Sequence, residues 1–188
     1  MPNWCEFDLK ISGPASDVSG FETQLVMNLA GEENYYSILN TFIPMPEEIL
    51  DTTSPDRDPH GEDAIAKADD AEAARMRAEN QAHQEKRERL VQTYGAGDWY
   101  SWAVNNWGVK WADRCRLVRR GARSMKLSGQ TPWGPPLEGL ENISERWPNL
   151  RFTVEWFECG MGFAGKAVLC GGEVLSHNGR DYHGGRGG

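Results

Sequence analysis

From Trp4 to Ile11 the chain alternates without a break: Cys5, Phe7, Leu9 and Ile11 point one way, and Trp4, Glu6, Asp8 and Lys10 the other. Successive side chains of a strand face opposite sides, so this pattern specifies a half-buried strand, one face on a core and one on solvent. The next segment changes period. After Ser12-Gly13-Pro14, the residues Val18, Phe21, Leu25 and Leu29 recur at intervals of three and four, one face of a helix, with Gly31 as its natural stop. Amphipathic strand followed by amphipathic helix requires layers, with helices covering one side of a sheet.

The remaining segments extend this scheme. Tyr36 to Ile43 is a short apolar run that reads as a second strand, closed by Pro44 and Pro46, which cannot donate ladder hydrogen bonds. Residues 51–61 have loop composition. Residues 62–93 contain no proline or glycine and are rich in alanine, glutamate and arginine, which predicts helix, with Asp63/Lys67 and Glu85/Arg89 as i,i+4 pairs. Their large apolar residues, Ile65, Met76 and Leu90, form only a sparse stripe. The expectation is therefore a protruding, lightly packed helical arm inserted over about residues 51–94.

Four tryptophans follow: Trp99, Trp102, Trp107 and Trp111. Trp99, Trp102 and Asn106 share a face of a short helix that Gly108 ends, and most of this cluster is expected to be core. Arg114–Val118 and Arg123–Ser128 read as a hairpin. Pro135-Pro136 opens a helix with Leu140, Ile143 and Trp147 on one face. Residues 151–158 alternate again, and residues 163–176 read as one or two strands broken at Gly171-Gly172. From His177 to Gly188 the chain is polar and glycine-rich, a flexible tail. The expected whole is one α+β domain over residues 1–176, a mostly antiparallel sheet with helices on one face and the other face free to bind.

Charge is unevenly spread. Residues 1–72 hold 16 acidic and 3 basic side chains, residues 73–129 hold 5 and 12, and the whole chain carries −8. A basic patch is therefore compatible with an acidic chain. No apolar run approaches the ~20 residues needed to span a bilayer. The start of the chain lacks a signal-peptide layout, so a cytoplasmic protein with no membrane partner is expected. Cys5, Cys115, Cys159 and Cys170 form no Cys-x-x-Cys pair and read as reduced thiols.

Motifs for catalysis are weak. Gly160-Met161-Gly162-Phe163-Ala164-Gly165 fits the spacing of a dinucleotide fingerprint, but a strand follows it where a helix is required, so it reads as a connection between strands. His177, Asp181 and His183 lack the preorganised spacing of a metal site. No serine or cysteine stands in a nucleophile motif. The reading is of a chain with no catalytic, cofactor or metal site.

Five short stretches carry a resemblance. Pro2-Asn3-Trp4-Cys5, Pro44-Met45-Pro46-Glu47, Asn106-Trp107-Gly108-Val109-Lys110-Trp111, Trp133-Gly134-Pro135-Pro136, and Glu158-Cys159-Gly160 with Phe163-Ala164-Gly165 resemble, in order, the landmarks of the YubB-type ferredoxin-like family of phage and plasmid proteins. The family usually has threonine where Val109 stands and often serine where Gly134 stands. The resemblance implies a ferredoxin-like fold and a mobile genetic element as setting.

Three functional expectations follow. The first is a non-catalytic protein that binds and inhibits a host protein or defence complex, through an arm bearing Asp69, Asp70, Glu72, Arg75 and Arg77 or through an acidic surface at residues 44–72 that imitates nucleic acid. The second is a nucleic-acid-binding accessory protein using Trp4, Lys110, Arg114, Arg116, Arg119, Arg120 and Arg123. There Arg114 and Arg116 face the open side, opposite Cys115 and Leu117. The competing reading of these arginines is that they neutralise the acidic first third of the chain. The third is an enzyme or small-nucleotide binder with a tryptophan-lined pocket.

Overall fold

A computed structural model of the chain describes residues 3–27 and 35–184. Leu29, Gly31, Pro2 and the last four residues of the expected tail lie outside them. The chain divides into two compact units, Met1–Pro44 with Ala103–Gly188, and Met45–Trp102.

The first unit is built on a six-stranded sheet of order β2-β3-β1-β4-β5-β6, antiparallel throughout. Its strands are β1 (Trp4–Ser12), β2 (Arg114–Gly121), β3 (Ser124–Pro132), β4 (Arg151–Glu158), β5 (Phe163–Cys170) and β6 (Glu173–Asp181). The helices of this unit are α1 (Ala15–Met27), α2 (Ile38–Phe42) and α7 (Leu137–Arg146). With β1 between β3 and β4, and α1 and α7 after β1 and β3, the first four strands have ferredoxin-like topology, extended by the β5–β6 hairpin.

The alternation of β1 is realised as expected: Cys5, Phe7, Leu9 and Ile11 are buried, and Trp4 and Lys10 are exposed. Under the buried face, Phe21 of α1 stacks on Phe42 at 4.3 Å and meets Trp147 and Phe152 edge-on at 5.5 and 5.7 Å. Gly139 of α7 permits the approach of α2, since a Cβ there would stand 2.4 Å from a Leu39 methyl. The four cysteines are free thiols, with Cys5 and Cys115 buried.

Two expectations are corrected here. Tyr36–Ile43 is not a strand: only Tyr36 bridges to Cys115, and residues 38–42 form helix α2. The cause is a distant carboxylate. Buried Asp113 accepts hydrogen bonds from the amides of Ile38 (3.1 Å) and Leu39 (2.8 Å) and from the Ser37 hydroxyl (3.1 Å), while the Ser37 oxygen caps Asn40 N–H. These are the donors a helix start leaves unpaired. The second correction concerns the tail, because His177–Asp181 continue β6, pairing with Phe163–Ala167 across the turn at Gly171-Gly172. Period-two patterning is absent there because every residue of this edge strand is exposed.

Asp113→Ala is expected to destabilise the first unit by about 2–3 kcal/mol, through loss of one acceptor for three donors. Burial pushes the Asp113 carboxyl above its ordinary value, against the pull of those hydrogen bonds. The folded chain thus holds this proton more tightly than the unfolded chain. Its contribution to stability is full at and below the usual carboxylate range and declines as pH rises through the folded value. Denaturant titrations of wild type and Asp113→Asn on both sides of that range check this, and a wild-type pH slope retained in the variant would assign it to another group.

In the second unit, α3 (Glu47–Leu50), α4 (Glu62–Lys67) and α5 (Asp70–Tyr94) follow one another, and α6 (Trp99–Trp107) crosses the division between units. The insertion is helical, but it is not a bare arm. The loop over residues 51–61 lies along α5, fastened by Asp56 to His83 (2.8 Å) and Arg87 (3.3 Å), and by His60 to Glu79 (2.5 Å) and Asn80. Arg89 reaches Glu48 at 3.0 Å where a pair with Glu85 was expected. Ile65, Ala73 and Leu90 are the buried apolar residues of α4 and α5. The helix end at Gly95 has a left-handed backbone, as does Gly108 after α6. Among the described residues no helix is long and apolar enough to cross a membrane.

Candidate functional site

The second unit holds 14 acidic and 7 basic residues, net −7, and the first holds 14 and 13, net −1. The acidity of the whole chain is thus almost entirely that of the second unit. The sheet of the first unit can present a basic face without contradiction.

The face opposite the helices is assembled row by row. One row runs Arg114–Gln130–Glu6–Phe157–Ala164–Arg180, the next Arg116–Ser128–Asp8–Glu155–Lys166–Asn178. Arg114 and Arg116 are exposed and Cys115 is buried, as their alternation requires; Leu117 is half-buried. Beyond β2, the backbone of Tyr36 exchanges two hydrogen bonds with Cys115 (2.8 and 2.9 Å). That bridge lays the ring of Tyr35 over Arg114 at 4.0 Å and near Arg116 at 5.6 Å. The result is a cleft of about 340 Å³ lined by Tyr35, Arg114 and Arg116, with Glu6, Ser128 and Gln130 as floor.

At one end of β1 a second group converges. Trp4 lies 6.5 Å from Trp111, and the Lys110 ammonium sits 4.5 Å over Trp111 and 5.3 Å from Trp133. These three tryptophans are 40–49% exposed, whereas Trp102 and Trp107 are buried, so the expected core cluster is divided between interior and surface. Trp133 has φ +69°, a left-handed backbone that costs a non-glycine residue of order 1–3 kcal/mol. Its amide donates to Asn3 O (2.8 Å), and Thr131 Oγ1 donates to Gly134 O (2.7 Å), which hold the turn. Across the sheet, Phe157 and Tyr182 stack at 5.3 Å beside Arg180 in a smaller cleft of about 260 Å³.

Most acids of this face are answered within it. Lys126 pairs with Asp8 at 3.0 Å and Lys166 with Glu155 at 2.7 Å. The Tyr182 hydroxyl is pushed above its ordinary value by desolvation, with Cys159 and the charge of Glu6 adding to it.

Of the seven sequence-nominated residues, Trp4, Lys110, Arg114 and Arg116 meet on this face or at its end. Arg119 joins them because a bulge after Leu117 inserts one residue and reverses the alternation, pairing Arg119 with Lys126. The same bulge turns Arg120 toward the helices, where it pairs with Glu22 of α1 at 2.9 Å. Arg120 therefore leaves the candidate site. Arg123 stands in the β2–β3 turn, its carbonyl accepting from Gly13 N–H, at the end of β1 remote from Trp4. Tyr35, Glu6, Gln130, Trp111 and Trp133 were missed as site residues. Glu6 was legible in principle, sharing the face of Trp4; Tyr35 was not, because only the bridge to Cys115 places it.

In the second unit, Asp69 caps α5 by accepting from Glu72 N–H (2.9 Å), and Arg75 lies 3.8 Å from both Glu72 and Glu79. Asp70 and Arg77 are exposed. This is a solvated helix start, with long ion pairs that contribute little. Gly160–Gly162 join β4 to β5, as their spacing before a strand implied. Among the described residues no group of three or more His, Cys, Asp or Glu side chains is placed to hold a metal ion.

Residues 106–183 match a family model described as the ferredoxin-like domain in Api92-like protein. The fold is similar to that in the crystal structure of a protein api92 from Yersinia pseudotuberculosis. That similarity has a TM-score of 0.53 at 12% sequence identity, covering 98% of this chain and 99% of that one. No curated protein matches the chain. At this identity the likeness carries the fold alone, and the chain is a ferredoxin-like α+β protein.

Proposed function

We propose that the open face of the ferredoxin-like sheet is a non-catalytic platform for single-stranded nucleic acid. The observation that carries this reading is the interleaving, on this face and at one end of it, of aromatic rings with guanidinium and ammonium groups: half-buried Tyr35 with Arg114 and Arg116, and exposed Trp4, Trp111 and Trp133 with Lys110. Every base has a π face, and stacking on an aromatic side chain is worth ~1–3 kcal/mol per base whatever the sequence. Cations between the rings then hold the phosphates. The open sheet suits splayed single strands, whose bases are free to stack.

The test is direct titration of the full chain with fluorescein-labelled single-stranded RNA and DNA against a duplex of the same sequence. Single strands are expected to bind better than duplex. The log affinity should fall with log salt at a slope near −2, the value for about three neutralised phosphates on a single strand. Absence of single-strand binding at low salt would sink the platform reading.

A second reading is favoured by the exposed, charged start of α5, with Asp70 and Arg77 on solvent. In it the chain is a protein of a mobile genetic element, as the YubB-type resemblance implies, and it occludes a host protein or defence complex through that surface. It takes first place if no nucleic acid binds.

A further inference from the structure

We infer that the cleft at the β2 edge reads guanine; this rests on the single-strand reading and adds base specificity to it. Register sets Glu6 directly beside Gln130, in the row that ends at Arg114. Neighbouring strands lie about 5 Å apart, so a carboxylate and an amide stand side by side on the floor of one cleft. The other two acids in these rows are held by lysines. Among the described residues no hydrogen bond or ion pair engages the half-buried Glu6 carboxylate.

An ionised carboxylate is an acceptor only, with two oxygens side by side, and an amide offers both a donor and an acceptor. Guanine alone among the common bases places two adjacent donors, N1–H and the N2 amino group, on its Watson–Crick edge, next to the O6 acceptor. Glu6 fits the two donors and the Gln130 amide fits O6. Adenine and cytosine set a ring-nitrogen lone pair beside their amino donor, and uracil flanks its one N–H with carbonyls. Each would turn a lone pair toward Glu6. Arg116 supplies a phosphate contact at the same cleft. Trp4 is two residues from Glu6 on the same face of β1, ~6.6 Å along the strand, where the neighbouring base of the strand would stack. A guanine already paired in a duplex has no such edge to offer, so the pocket reads single strands.

The experiment is fluorescence anisotropy on the full chain, using short labelled oligouridine with one central guanosine, adenosine or inosine, and deoxy versions of each. Guanosine is expected to bind at least about tenfold tighter than adenosine, with inosine, which lacks the N2 amino group, in between. Free guanosine monophosphate should compete poorly, since it lacks the neighbouring base that Trp4 holds; efficient competition would overturn the assignment to a strand in favour of a free nucleotide. Glu6→Gln converts the floor to a donor beside an acceptor, the match for adenine, so the ratio of adenosine to guanosine affinity should rise and preference should pass to adenosine. Gln130→Ala should lower the guanosine preference, and it carries the test if Glu6→Gln fails to fold. Equal binding of guanosine and adenosine with intact oligouridine binding overturns the pocket and leaves the platform standing. A guanosine preference unchanged in both variants overturns the assignment to Glu6. Binding of no oligonucleotide removes the platform and this inference with it.

Discussion

Replacing Arg114 and Arg116 together by alanine is expected to weaken single-strand binding about a hundredfold and to reduce the salt slope by about 1.4. The first figure follows from two charge-assisted contacts of roughly 1.5 kcal/mol each; the second follows from two fewer neutralised phosphates. The effect should be uniform across sequences, since phosphate contacts position a strand and bases specify it. Both side chains are exposed, so the midpoint of thermal unfolding should stay near that of wild type. Arg120→Ala is the matched control. Its guanidinium is turned to Glu22 on the helix side, so its removal should leave binding unchanged. Equal losses from Arg120→Ala and from the double variant would mean that net charge rather than the face governs binding.

Phe21→Ala is expected to have the largest effect on stability, about 4 kcal/mol, with a fall in unfolding midpoint of roughly 12 °C. Phe21 is fully buried and touches three other rings, Phe42 at 4.3 Å, Trp147 at 5.5 Å and Phe152 at 5.7 Å. These rings come from α2, the end of α7 and β4, so the cavity would open where helices and sheet meet. Near-ultraviolet circular dichroism with calorimetry reads the change. A midpoint shift under 3 °C would mean that the core collapses around the cavity, or that the rings are not packed as described.

The two variants also separate what local patterning carries from what packing carries. Phe21 was legible from its helical spacing with Val18 and Leu25, because a repeat of 3.6 on a covered helix writes burial directly into the order of residues. Trp4 and the pair Arg114 and Arg116 were legible for the analogous reason in strands. Lys110 entered through its place in a basic run. Tyr35, by contrast, sits outside any periodic segment. The Tyr36–Ile43 run has the composition of a strand, and Asp113, more than seventy residues away, makes its core a helix by supplying the acceptor for its first amides.

By itself, then, the order of residues determined the alternating β1, the amphipathic α1 and α7, the helical insertion and the α+β class. Those are consequences of repeats within a few residues. Tertiary structure decided the fate of residues 36–43, the second half of β6, the side on which Arg120 points, and the meeting of Tyr35, Glu6, Gln130 and Arg116 in one cleft. The physical reason is common to all four. Each depends on a partner distant in sequence or on a single inserted residue, and a one-residue shift in a strand sends every following side chain to the opposite face.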